Sequence, residues 1–88
     1  MVWTVALLPD AENELTELWI SSLDREAVTT AADQVDKLLR RDPESAGESR
    51  DHGRRILIIP PLVATYCVLT DDRIVQITNI RKFESGKR

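Results

Sequence analysis

This chain is poor in the residues from which special sites are built. Its 88 residues include one cysteine, one histidine and three glycines. The lone Cys67 cannot close an internal disulfide, which fits a chain made for the reducing cytoplasm. There is no Cys/His cluster, no glycine-rich phosphate loop and no paired-carboxylate arrangement, so no metal and no other cofactor is expected. No apolar run approaches the roughly 20 residues that span a bilayer. The opening Met-Val-Trp-Thr-Val-Ala-Leu-Leu lacks a basic n-region and leads straight into an acidic helical pattern, so it reads as a strand, not a signal peptide, and no membrane partner is expected.

What is present suffices for one ordinary core. Apolar residues make up 42% and charged residues 31%, which excludes global disorder, and the length predicts a single domain over residues 1–88. The net charge of −3 hides an asymmetry. Residues 1–44 hold ten acids and four bases, a balance of −6, whereas residues 45–88 hold five acids and eight bases, a balance of +3. A basic C-terminal half suits an acidic partner or nucleic acid, and equally suits helices and loops whose charges merely differ.

The stretch Arg54–Arg81 contains three β-branched runs separated by Pro60-Pro61 and Asp71-Asp72, which predicts a three-stranded antiparallel meander. Upstream, Val2–Leu8 reads as a strand stopped by Pro9-Asp10. Asp10 is then expected to cap a helix from Ala11 to about Ser22, with Ala11, Leu15, Leu18, Trp19 and Ser22 on one stripe. Asp24 is the expected N-cap of a second helix, in which Val28, Ala31, Ala32, Val35, Leu38 and Leu39 recur at helical spacing. Asp33–Lys37 and Asp36–Arg40 pair on its opposite face, and Asp42-Pro43 ends it. The short link from Ser21 to Asp24 predicts antiparallel neighbours. Residues 44–53 read as a loop, and Phe83–Arg88 as a flexible tail. The expected fold is therefore α+β, β-α-α-β-β-β, an antiparallel sheet covered on one face by a two-helix hairpin. Leu62, Ala64, Tyr66 and Val68 would face one way, and Val63, Thr65, Cys67 and Leu69 the other. Both sets are largely apolar, so something is expected across the second face.

This order of elements resembles the RelE/ParE superfamily of bacterial toxins from toxin–antitoxin pairs. The residues that carry the likeness are Pro9-Asp10-Ala11-Glu12-Asn13-Glu14-Leu15 with Trp19 a turn on, and the second helix ending at Asp42-Pro43. To these are added Gly53-Arg54-Arg55, the strand from Pro61 to Val68, and Asp72-Arg73-Ile74-Val75-Gln76-Ile77. The resemblance implies a growth inhibitor neutralised by a cognate antitoxin, acting alone, as a homodimer or within a hetero-oligomer with that antitoxin. Its preferred mechanism is binding to a macromolecular target, as ParE-like members bind DNA gyrase. The alternatives are a metal-independent, ribosome-dependent endoribonuclease of messenger RNA, and a non-toxic interaction module with the same fold. For the nuclease the match is incomplete. Arg54, with Arg55 beside it, matches the basic position opening the second strand, but the expected third-strand arginine falls at Val63 and a later one near Phe83. The expected C-terminal tyrosine or histidine has no counterpart, since Tyr66 lies mid-strand.

The catalytic candidates are accordingly Arg54, Arg55 and Arg81, and the target-binding candidates Arg54, Arg55, Arg81 and Lys82. Arg54 and Arg55 also read as edge charges that discourage aggregation. Arg73 reads as turn chemistry, and Lys87 and Arg88 as solvated. His52 is the only side chain with an unperturbed pKa near neutrality, and is read as a solvated loop residue or a proton shuttle at an RNA phosphate. Cys67 is expected buried and inert. Trp3 and Trp19 are expected to be core anchors, with base stacking as the alternative.

Overall fold

The computed structural model describes residues 2–83. Strand β1 (Thr4–Leu7) leads into helices α1 (Pro9–Ser21) and α2 (Arg25–Arg41), and the short helix α3 (Pro43–Ala46) follows. Strand β2 (Glu48–Ser49), a 3-10 turn at Asp51–Gly53, and strands β3 (Arg54–Ile59), β4 (Leu62–Leu69) and β5 (Ile74–Lys82) complete it. The sheet has the order β1-β5-β4-β3-β2. The expected meander is formed by β3, β4 and β5, all antiparallel. β1 lies parallel to β5, with Thr4 opposite Ile74 and Leu7 opposite Ile77, so the five-stranded sheet is mixed. Three helices separate β1 from β2, and the last strand of the meander returns to lie parallel beside the first.

Helix α1 begins two residues earlier than the expected start at Ala11. Pro9 occupies the first helical position, where its missing N–H costs nothing, and Asp10 stands in the first turn without capping. The cap of α2 is as expected, with the Asp24 carboxylate accepting from Ala27 N at 3.0 Å. The two predicted pairs form, Lys37–Asp33 at 3.0 Å and Arg40–Asp36 at 2.8 Å, both well exposed. Arg25 joins the hairpin: its guanidinium donates to Trp19 O at 3.1 Å and Ile20 O at 3.0 Å, two of the open carbonyls that end α1.

Val28, Ala31, Val35 and Leu39 of α2 are buried against Leu57, Leu62, Ala64, Tyr66, Val75, Ile77 and Ile80 of the sheet. Trp3 joins this core at 8% exposure, and Arg73 lies over its ring at 5.1 Å. Arg73 also closes the β4–β5 turn in a left-handed conformation, its N–H donating to Thr70 O. Trp19 departs from the expectation of a core anchor. It is 42% exposed, with Nε1 donating to Thr29 Oγ1 at 3.1 Å and Arg25 over its ring at 4.8 Å. Leu15 and Leu18 occupy the sheet side of α1, which leaves Trp19 at the rim of the hairpin.

The segment expected as a loop is built instead as a strap. Arg55 donates to the carbonyls of Glu44 and Gly47, and the buried Tyr66 hydroxyl donates to Pro43 O at 2.7 Å. Gly47 is obligatory for its close approach: a Cβ there would stand 2.6 Å from both Ile56 O and Tyr66 Oη. Of the expected tail, Phe83 donates its N–H to Pro61 O at 2.8 Å. Residues 84–88, including Lys87 and Arg88, lie outside the described residues.

Candidate target-binding face

Strand alternation sorts the basic candidates. In β3, Arg55, Leu57 and Ile59 turn toward the helices, while Arg54, Ile56 and Ile58 turn away. In β4, Leu62, Ala64 and Tyr66 are buried, leaving Val63, Thr65 and Cys67 half-buried on the opposite face. That face has no covering layer among the described residues. In β5 the inward positions are Val75 and Ile77, and then Ile80, because a bulge shifts the register between Thr65 and Tyr66. Thr65 pairs with Asn79 and Tyr66 with Ile77, so Thr78 is the extra residue, and its hydroxyl donates to Thr65 O at 3.2 Å. The bulge inverts the alternation beyond it. Arg81 therefore belongs to the open face and Lys82 to the helix side.

A depression of about 380 Å³ on the open face is lined by Arg50, Asp51, Arg54, Ile56, Thr65, Asn79 and Arg81. Arg54 and Arg81 are thus brought together, with Arg50 as a third cation. Arg50 is tethered to Glu48 at 3.0 Å, and its own backbone N–H donates to Arg54 O at 2.7 Å. Arg81 forms an ion pair with Glu14 at 3.3 Å. Arg55 stands apart, half-buried in the strap with its Nε partnerless. Lys82 lines a different hollow beside Leu23, Asp24 and Pro61. Val63, where the resemblance expects an arginine, is the direct cross-strand partner of Arg81. His52 is exposed in the turn before β3, in a left-handed conformation at φ 63°. Cys67 is half-buried, opposite Arg54 and Gln76.

Arg50, Thr65, Asn79 and Glu14 were not among the sequence candidates. One signal for them exists in the sequence: inward apolar residues at 75, 77 and 80 break a strict period of two, marking the bulge that turns Arg81 outward. Tyr66 has a pKa raised above its ordinary value, chiefly because burial disfavours the phenolate. The Arg55 guanidinium and a hydrogen bond with the Gly47 backbone oppose that shift.

The helical side carries a second surface. A groove of about 290 Å³ between α1 and α2 is lined by Leu15, Thr16, Trp19, Val28, Thr29 and Ala32. Ile20 at 58% and Leu23 at 106% exposure are further exposed apolar residues at the end of α1 and in the turn after it, and Glu17 and Glu26 nearby in the sequence are exposed as well.

No family model and no curated protein sequence matches the chain. Solved structures do. The toxin–antitoxin complex RelBE2 from Mycobacterium tuberculosis superposes with a TM-score of 0.78 at 16% identity, over 94% of this chain and 100% of that one. The chromosomal ParDE system of P. aeruginosa gives 0.71 at 22% identity, over 94% and 98%. The isolated E. coli RelE toxin gives 0.69 at 16% identity, over 97% and 88%. The strand order, the two-helix hairpin and these near-complete superpositions agree: this chain has the fold of the RelE/ParE toxin superfamily.

Proposed function

We propose that this chain is the toxin of a type II toxin–antitoxin pair, and that it arrests growth in the cytoplasm by binding a macromolecular target through its open sheet face. The single observation that carries the reading is the depression in which Arg50, Arg54 and Arg81 converge beside Thr65 and Asn79. Arginines grouped on a half-apolar sheet suit recognition of an anionic surface, because planar guanidinium groups pair with carboxylate or phosphate oxygens. The cognate antitoxin is assigned to the opposite side. Exposed Trp19, Ile20 and Leu23 beside Glu17 and Glu26 fit an amphipathic segment with basic flanks.

Ribosome-dependent cleavage of messenger RNA is the second reading, and the pairing of Val63 with Arg81 favours it. A guanidinium displaced by one strand still lies near the expected position and can stabilise a crowded phosphate. Against it stands Tyr66, which is buried and engaged by Pro43 on the helix side of the sheet.

Inducing the chain alone in a bacterium, and then together with the neighbouring reading frame, tests the proposal. Growth should stop in the first case and resume in the second. Intact messages with DNA-damage signalling identify a gyrase-type target. Early loss of messages, abolished by Arg54→Ala, identifies the nuclease. Unimpaired growth in the first case would leave the third option, a non-toxic interaction module.

A further inference from the structure

We infer that Glu14 is an internal counter-ion of the open face, which an incoming phosphate oxyanion displaces from Arg81. The inference rests on the reading of that face as a target-binding surface. Its basis is an exposed strand edge. β1 pairs with β5 only from Ile74 to Ile77, so among the described residues the outer edge of β5 has no partner strand beyond that point. Helix α1 packs over this edge, and the Glu14 carboxylate supplies what the missing strand would have given. One oxygen accepts from Ile80 N at 2.8 Å and faces Asn79 Nδ2 at 3.4 Å, while the other meets Arg81 Nη1 at 3.3 Å.

An ordinary surface ion pair contributes little, because two long side chains must be ordered for a screened attraction. Here the acid is ordered already by a backbone bond, and its side chain is only 26% exposed against 66% for Arg81. Glu14 thus positions Arg81 and also offsets part of its charge. Any phosphate that engages Arg81 meets the carboxylate as a competitor for the guanidinium and as a like charge. A ligand that also engages Arg50 and Arg54 overcomes this opposition, whereas a lone anion barely does. Glu14 therefore determines specificity for the face without belonging to it.

Glu14→Gln separates the two roles, since the amide oxygen can still accept from Ile80 N–H while the charge is gone. Inorganic phosphate would be titrated into the full chain at about 10 mM ionic strength, where screening is weak. The Nε–H signals of Arg54 and Arg81 would be followed by nitrogen-edited NMR. Glu14→Gln should unfold near the wild-type midpoint and bind phosphate about three- to tenfold more tightly, an advantage that shrinks as salt rises. Arg81→Met in that background should remove the gain. Equal affinity of Glu14→Gln and wild type, or a gain that survives Arg81→Met, would overturn the inference alone. If phosphate moves neither arginine signal in any variant, the target-binding reading of the face falls with it.

Discussion

Arg54 and Arg55 are chemically identical neighbours with opposite fates, because consecutive strand residues face opposite sides of a sheet. Arg54 is exposed on the open face, while Arg55 is half-buried and donates to the Glu44 and Gly47 carbonyls. Replacing a half-buried cation that donates to two carbonyls removes the donor of both. Arg55→Met should therefore cost about 2–3 kcal/mol in chemical denaturation, against less than about 0.5 kcal/mol for Arg54→Met. The same two variants should reverse their order in growth arrest at permissive temperature, where Arg54→Met is the damaging one. Tyr66 shares this strap and gives it a pH dependence. Burial raises its folded pKa above the unfolded value of about 10, so the native state holds the phenolic proton more firmly. Its contribution is complete below pH ~10 and is lost as pH rises through the folded pKa. Tyr66→Phe should cost about 1–2 kcal/mol at neutral pH, because Pro43 O loses its donor. It should also flatten the part of the alkaline fall in stability that this phenol causes, measured as denaturation midpoints on either side of pH ~10.

At the scale of elements, β5 decides which cations the open face receives, and its bulge is what decides it. Removing Thr78 would heal the bulge and leave Ile80 inward, Arg81 outward and Lys82 inward, because Asn79 already pairs with Thr65 and Ile77 with Tyr66. Ile80 is 3% exposed and Arg81 66% exposed on its side chain, and the deletion keeps both on the sides they now occupy while removing the bond from the Thr78 hydroxyl to Thr65 O. The expected result is a protein that still folds, with a loss of about 1 kcal/mol, read from thermal unfolding and the dispersion of amide signals. Much of this element level was legible in the sequence. The helical spacing from Val28 to Leu39, the Asp24 cap and the turn residues at Pro60-Pro61 and Asp71-Asp72 all mark structures that form. These signals are local, and local chemistry enforces them. The pairing of β1 with β5 joins residues some 70 positions apart, and its parallel sense leaves no trace in composition. The strap is equally silent in the sequence. What orders residues 43–49 is Arg55 and Tyr66 reaching them from the sheet, while the segment itself is polar and lacks a period. Arg55 and Arg54 could not be told apart until the register of β3 was fixed.

The molecule as a whole presents two working faces on opposite sides of one sheet. The side with the α1–α2 hairpin carries most of the acidic half of the chain, and the open side gathers Arg50, Arg54 and Arg81 from the basic half. A net charge of −3 would give such a molecule little overall attraction to a polyanion, so selectivity must come from how it turns during encounter. The two faces should then fail independently. Arg50→Glu with Arg54→Glu changes exposed side chains only, and should alter stability by no more than about 1 kcal/mol. It should nevertheless abolish growth arrest while leaving capture of the antitoxin intact, scored by co-purification with the neighbouring gene product. Ile20→Asp with Leu23→Asp places acids on residues 58% and 106% exposed, and should leave arrest intact while the antitoxin no longer neutralises it. Growth curves with and without the antitoxin distinguish the four outcomes. If the open-face pair released the toxin from its antitoxin, or the hairpin pair stopped the arrest, target and antitoxin would share one surface. The division of labour between the two sides of the sheet would then be wrong, although the fold would stand.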